Sequence, residues 1–188
     1  MAGVEKDERV FTPIRKSIKN RATWLLINLA TCVLAAQVVN IFEGTIQKVV
    51  MLATFLPVVA SMGGIAGSQT LTIMVRGLAL GEVAIADAWK VIVKELYVGV
   101  ANGVINGLVM AIVAYYWKGV PVLGLVLMLS MIGNLFIAAL VGALVPIGLK
   151  AIKIDPAVAS AVIVTTFTDC FGFFSFLGLA TLFVKYLT

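Results

Sequence analysis

Asp169 is the only charged residue in the 29-residue run from Pro156 to Val184, which is otherwise built from Val, Ile, Phe, Leu, Ala and small residues. The run is long enough to cross a bilayer, and Asp169 falls near its middle. A carboxylate at that depth costs about 2.5–3.5 kcal/mol on insertion scales. Such a residue commonly faces a water-filled path, an ion site or a proton relay. The plainer alternative is an Asp buried against backbone donors or a neighbouring helix. At helical spacing, Thr165, Thr166 and Gly172 share the face of Asp169, and Phe167, Phe171 and Phe174 lie toward the other side. Asp169 is therefore expected on a small, polar stripe that faces protein or water.

One carboxylate is a poor cage for a bare cation. Calcium wants about six to eight oxygens, whereas magnesium is usually bound through about one or two carboxylates with several waters retained. A single Asp per chain suits a hydrated Mg²⁺, above all if a two-fold axis supplies a second Asp. Two such acids repel each other when empty and attract a divalent ion. A proton- or sodium-coupled cation carrier, with Asp169 as the titrating group, is the alternative. A third reading is a non-transporting membrane subunit whose Asp169 pairs with a partner helix.

Other chemistry has little to stand on. The chain has no histidine, which removes the commonest transition-metal ligand and proton shuttle. Cys32 and Cys170 lie in apolar runs without CxxC spacing, so neither a disulfide framework nor a thiolate metal site is expected. No paired carboxylates occur within a span and no nucleophile sits in a motif with a base, so no enzyme is expected. The net charge of +5 is not a nucleic-acid signature, because the basic residues cluster beside spans.

The elements that must position Asp169 are membrane helices. The chain is 62% hydrophobic and 12% charged, against about 25% charged in soluble domains. Runs 24–42, 49–75, 96–117, 119–149 and 156–184 are free or nearly free of charge, and each exceeds the spanning minimum of about 17 residues. They predict an all-α integral membrane protein with five transmembrane helices. Eleven Lys and Arg fall on one side of these spans and three, Lys48, Lys118 and Lys185, on the other. The N-terminus is thereby expected in the cytoplasm and the C-terminus outside, in a multi-pass protein of the inner (plasma) membrane. The expected organisation is a cytoplasmic juxtamembrane arm over 1–22 and a five-helix transmembrane pore domain over 23–188.

Within the arm, Lys6, Arg9, Arg15, Lys16, Lys19 and Arg21 surround Ile14 and Ile18. From Pro13 onward this reads either as a solvated arm or as a short amphipathic helix on anionic headgroups. Span 1 opens on Trp24, an interfacial aromatic. Span 2 combines Pro57 with Gly63, Gly64 and Gly67 and with Ser61, Ser68, Gln69 and Thr70. A broken or closely packed helix lining a cavity is expected there. The loop 76–95, with Glu82, Asp87 and Trp89, reads as a short interfacial helix. Gly99, Gly103 and Gly107 recur every four residues in span 3 and predict a close-packing seam. Span 4 carries Pro121 and Pro146 near its ends and one polar pair, Gly133-Asn134.

The segments FLPVVASMGGIAGSQTLTIMVRGLALGEV and DPAVASAVIVTTFTDCFGFFSFLGLATL together resemble the membrane domain of MgtE-type magnesium channels. The likeness runs from about Trp24 to the C-terminus. It implies a homodimer with a central pore in the lipid membrane, a divalent cation as cargo (Mg²⁺ first), and no nucleic-acid partner. It implies that Asp169 is the centre of a metal site, with Ser61, Gly64 and Ser68 on span 2 and Ala161 and Thr165 on span 5. Ile65 stands where the family typically has Asn, and Ala161-Val162 where it often has Gly-Pro or Asn-Pro; both differences bear on ion preference. The resemblance covers the transmembrane domain alone, with nothing corresponding to the family's cytosolic N-domain and CBS domains, and a natural short form is expected.

Overall fold

The computed structural model of the protein describes residues 10–83, 88–153 and 155–187. They form helices throughout, with no strand among the described residues. The order is α1 (Ile14–Ile41), α2 (Glu43–Lys48), a 3₁₀ segment (Val50–Phe55), α3 (Leu56–Leu80), α4 (Ala88–Lys118), α5 (Pro121–Ala151), α6 (Pro156–Leu182) and α7 (Val184–Leu187). Five of these stretches are long and apolar enough to cross a membrane, as the charge-free runs predict.

Three helices extend by more than a turn beyond the runs that announced them. α1 starts at Ile14, so the basic turn holding Arg15, Lys16 and Lys19 continues straight into the first span; Lys6 and Arg9 lie outside the described residues. Residues 76–80 complete α3, and α4 already begins at Ala88. The interfacial helix expected over 76–95 is thus divided between two long helices, and Asp87 lies outside the described residues. The chain leaves α3 through Gly81, whose φ of 74° is left-handed and easy only without a Cβ. Lys150 of α5 caps the same end, its Nζ donating to the Leu78 carbonyl at 2.8 Å.

Pro57 does not break span 2. It occupies the first turn of α3, where a missing N–H costs nothing, and the irregular backbone lies before it in the 3₁₀ segment. From Leu56 the helix runs unbroken through Gly63, Gly64 and Gly67.

α5 is the centre of the bundle and packs on α3, α4 and α6. The span-3 glycines bring the backbones of α4 and α5 together. A Cβ on Gly99 would lie 2.8 Å from the Leu135 carbonyl, one on Gly103 2.8 Å from Ile132 Cα, and one on Gly107 2.9 Å from the Met128 carbonyl. As numbers rise along α4 they fall along α5, so the pair is antiparallel. Against α3, α5 runs parallel: Gly63 meets Asn134, Gly67 meets Ala138, and Gly142 meets Thr70. α1 rests chiefly on α6, and Leu25, Leu26, Leu29 and Leu34 are exposed on it. At one end Thr45 of α2 and Thr181 of α6 share a hydrogen bond of 2.8 Å. The 3₁₀ residues Leu52 and Phe55 are fully buried there with Phe176 and Leu177.

Candidate functional site

α3 and α6 run antiparallel and close together. A Cβ on Gly67 would lie 2.6 Å from Val164 Cγ1, and one on Gly172 would lie 3.2 Å from Val59 Cγ1. Beside these crossings lies an open groove of about 930 Å³. Asp169 lines it, at the midpoint of α6.

Most of the residues singled out from sequence meet in this groove. Ser61, Gly64 and Ser68 come from α3, Thr165 and Asp169 from α6. Gly64 faces Thr165 directly, with 4.0 Å between its notional Cβ and Thr165 Cγ2. Ile65, Gln69 and Thr72 also line the groove. Gln69 and Thr72 follow Ile65 and Ser68 by four residues, so helical spacing would have found them. Ala161 does not line it, but its carbonyl accepts the Thr165 hydroxyl at 3.0 Å. Thr166 and Gly172 are on other business: Thr166 donates to the Val162 carbonyl at 2.6 Å, and Gly172 packs on Asn134.

Three side chains present acceptors to the groove, beside the Gln69 amide, which can also donate. Thr165 directs its proton to its own helix, shared between the carbonyls of Ala161 and Val162 at 3.0 and 3.1 Å. Thr72 does the same to the Ser68 carbonyl at 2.8 Å. Their oxygens can then only accept a further hydrogen bond, and Asp169 in its ionised form only accepts as well. Among the described residues no Lys or Arg pairs with Asp169. Such a surface suits a cation that arrives wearing water, since coordinated waters are donors. It does not suit a stripped one: no three acidic, thiol or imidazole groups come together among the described residues. Six waters at about 30 Å³ each take roughly 180 Å³, so a fully hydrated ion fits the groove with room to spare.

The groove is also open on one side. Ser61, Ser68, Gln69 and Thr72 lie on an exposed face of a membrane-length helix. Polar groups are costly against lipid, so a stripe of them belongs against protein or water.

Two buried polar residues outside the groove were given no role by sequence reasoning. Asn134 of α5 is fully buried behind it, its Nδ2 donating to the Val59 carbonyl at 2.9 Å. Glu95 of α4 is 2% exposed; its Oε2 accepts from Thr70 at 3.2 Å and its Oε1 meets Lys94 Nζ at 2.7 Å. Glu95 lines a small cavity of about 70 Å³ among α3, α4 and α5, which shares Gln69 and Ile73 with the groove. Its place just before an apolar run concealed this burial.

Five membrane-length apolar helices, with a carboxylate groove between two of them, define a multi-pass α-helical membrane protein. The chain belongs to the MgtE family, described as a divalent cation transporter, whose family profile matches residues 56–179. It is 32% identical over 164 residues to the magnesium transporter MgtE of Bacillus subtilis, covering 87% of this chain and 36% of that protein. The magnesium transporter MgtE of Thermus thermophilus is 32% identical over 165 residues, 88% of this chain and 36% of its own length. That of Enterococcus faecalis is 29% identical over 186 residues, 99% of this chain and 41% of its own. The chain spans about two fifths of the length of the curated relatives it matches.

Proposed function

We propose that the chain forms the membrane pore of a homodimeric Mg²⁺ transporter, in which Asp169 binds the ion with its water shell at mid-membrane. The observation that carries this reading is the exposed polar stripe of α3 facing Asp169 across one groove. A second copy related by a two-fold axis would cover the stripe and close the groove. It would also bring a second carboxylate to the ion, matching the few charged ligands and retained waters that magnesium prefers. Ser61, Gly64, Ser68 and Thr165 contact the ion's waters, and Ala161 acts through its carbonyl, which orients Thr165. The magnesium transporters among the relatives support Mg²⁺ as cargo. Residues 1–22 are the cytoplasmic arm and 23–188 the pore domain, with the C-terminus outside and the protein in the inner membrane.

The test is growth of a host strain that has lost its own Mg²⁺ uptake. The wild-type chain restores growth at low Mg²⁺, and Asp169→Ala does not, although it reaches the membrane in equal amount. Equal rescue by both would remove Asp169 from the site. Rescue by the chain of a Mn²⁺- or Co²⁺-uptake defect, and not of the Mg²⁺ defect, would change the cargo.

A further inference from the structure

Asn134 is placed where stability alone would not choose it. It is fully buried in α5, the central helix, between the two walls of the groove. On one side stands Gly63 of α3, whose notional Cβ would lie 2.5 Å from Asn134 Nδ2. On the other stands Gly172 of α6, whose notional Cβ would lie 2.7 Å from the same nitrogen. Gly63 directly precedes the groove residue Gly64, and Gly172 lies one turn beyond Asp169. The amide thus fills the gap between the walls, and both walls are bare of side chain where they meet it.

The hydrogen bonding of Asn134 is lopsided. Nδ2 donates to the Val59 carbonyl in the first turn of α3. Oδ1 is buried and has no partner among the described residues. Swapping the two atoms would set oxygen against the Val59 carbonyl, so the donor assignment stands. A buried acceptor left unpaired is a cost that a leucine of similar size would not carry. Leucine would fill the space and lose the tie to Val59. An amide held here at such a cost points to the one thing it does that leucine cannot, which is to fix α3 at a set distance from α5 and α6.

We propose that Asn134 is a positioning residue that sets the separation of the groove walls, and through it the size of cation that Asp169 accepts. The proposal rests on Asp169 being the ion site. Asn134 itself touches no ion. It holds Gly63 and Gly172, and with them Gly64 and Asp169, at one fixed spacing. Mg²⁺ and Ca²⁺ differ by only a few tenths of an ångström in metal–oxygen distance, so a small change in spacing changes the preference.

The experiment is Mg²⁺ and Ca²⁺ uptake by the protein in proteoliposomes. Asn134→Leu keeps the volume and loses the bond to Val59. Its Mg²⁺ over Ca²⁺ preference is expected to fall about tenfold, the equivalent of one good hydrogen bond, while maximal Mg²⁺ flux persists. An unchanged preference overturns the proposal. If Asn134→Leu does not fold, Gly172→Ala and the double variant Gly172→Ala/Asn134→Ala read the same quantity. The added methyl should spread the walls and lower the preference, and removing the amide should make room for it and restore the preference. Equal preference in the single and double variants overturns the proposal. Asp169→Asn measured alongside separates the two readings. Retained flux there removes the ion site itself, whereas lost flux there with unchanged preference in Asn134→Leu removes this inference alone.

Discussion

Thr165 and Thr72 turn their protons inward and leave lone pairs to the groove, and that small asymmetry shapes what the groove can hold. A hydroxyl that only accepts will bind the water of a cation and not the carboxylate of a metabolite. Thr165→Val keeps the shape of the side chain and removes the acceptor. It is expected to raise the half-saturating Mg²⁺ concentration about tenfold with little change in maximal flux, as read from uptake titrations in proteoliposomes. Much of this was legible beforehand. Asp169 declared itself by its cost in an apolar run, and Thr165 followed from helical spacing. Ser61, Gly64 and Ser68 came from family resemblance, and the structure sets them opposite Asp169 across one groove. Thr166 and Gly172 share the same nominal face but do not line the groove: Thr166 bonds within its own helix, and Gly172 packs on Asn134 of α5. Asn134 was visible only as a polar residue in span 4. Its role depends on three helices meeting at one point, and no single helix's periodicity encodes that.

Glycines at the same helical spacing do different things in different helices. In α4 they let α5 approach, and a Cβ on Gly103 would lie 2.8 Å from Ile132 Cα. Gly103→Ala is therefore expected to destabilise the bundle by about 1–3 kcal/mol through overpacking. In α3 the neighbours Gly63 and Gly64 divide the work. Gly63 is pressed on Asn134, while nothing lies nearer than 4.0 Å to a Cβ on Gly64. Gly64→Ala should leave the apparent melting temperature in detergent unchanged or raise it, since alanine favours helix by about 1 kcal/mol. Gly63→Ala should lower it. The span-3 seam could be read from its four-residue repeat, because a packing face is a periodic property. Whether span 2 is broken at Pro57 or closely packed could not, since proline at the first turn starts a helix and elsewhere interrupts one; here it starts α3 and the glycines pack closely. The start of α4 was hidden for a related reason. Lys90, Lys94 and Glu95 look like loop charges, yet Lys94 keeps an exposed stem while Glu95 is buried against Thr70.

At the scale of the whole molecule, the proposed dimer would make the groove of one chain half of a site. The groove is several times the volume of a hydrated ion and opens through a polar stripe that lipid would not tolerate. The count of spans and their apolar character followed directly from composition and length, since a bilayer imposes both. A second half supplied by another copy would be a property of assembly, which no pattern within one chain encodes. The purified protein should therefore have a mass twice that of the 19.9 kDa chain by light scattering corrected for detergent. Bulky Ser68→Trp, placed on the exposed stripe, should reduce it to one chain. The most direct test of the central claim is Mg²⁺ uptake into proteoliposomes by wild-type protein and by Asp169→Asn, which keeps the shape of the side chain and removes its charge. The account predicts uptake in the wild type and none above empty liposomes in the variant, with the mass unchanged. Uptake by Asp169→Asn at the wild-type rate would contradict it.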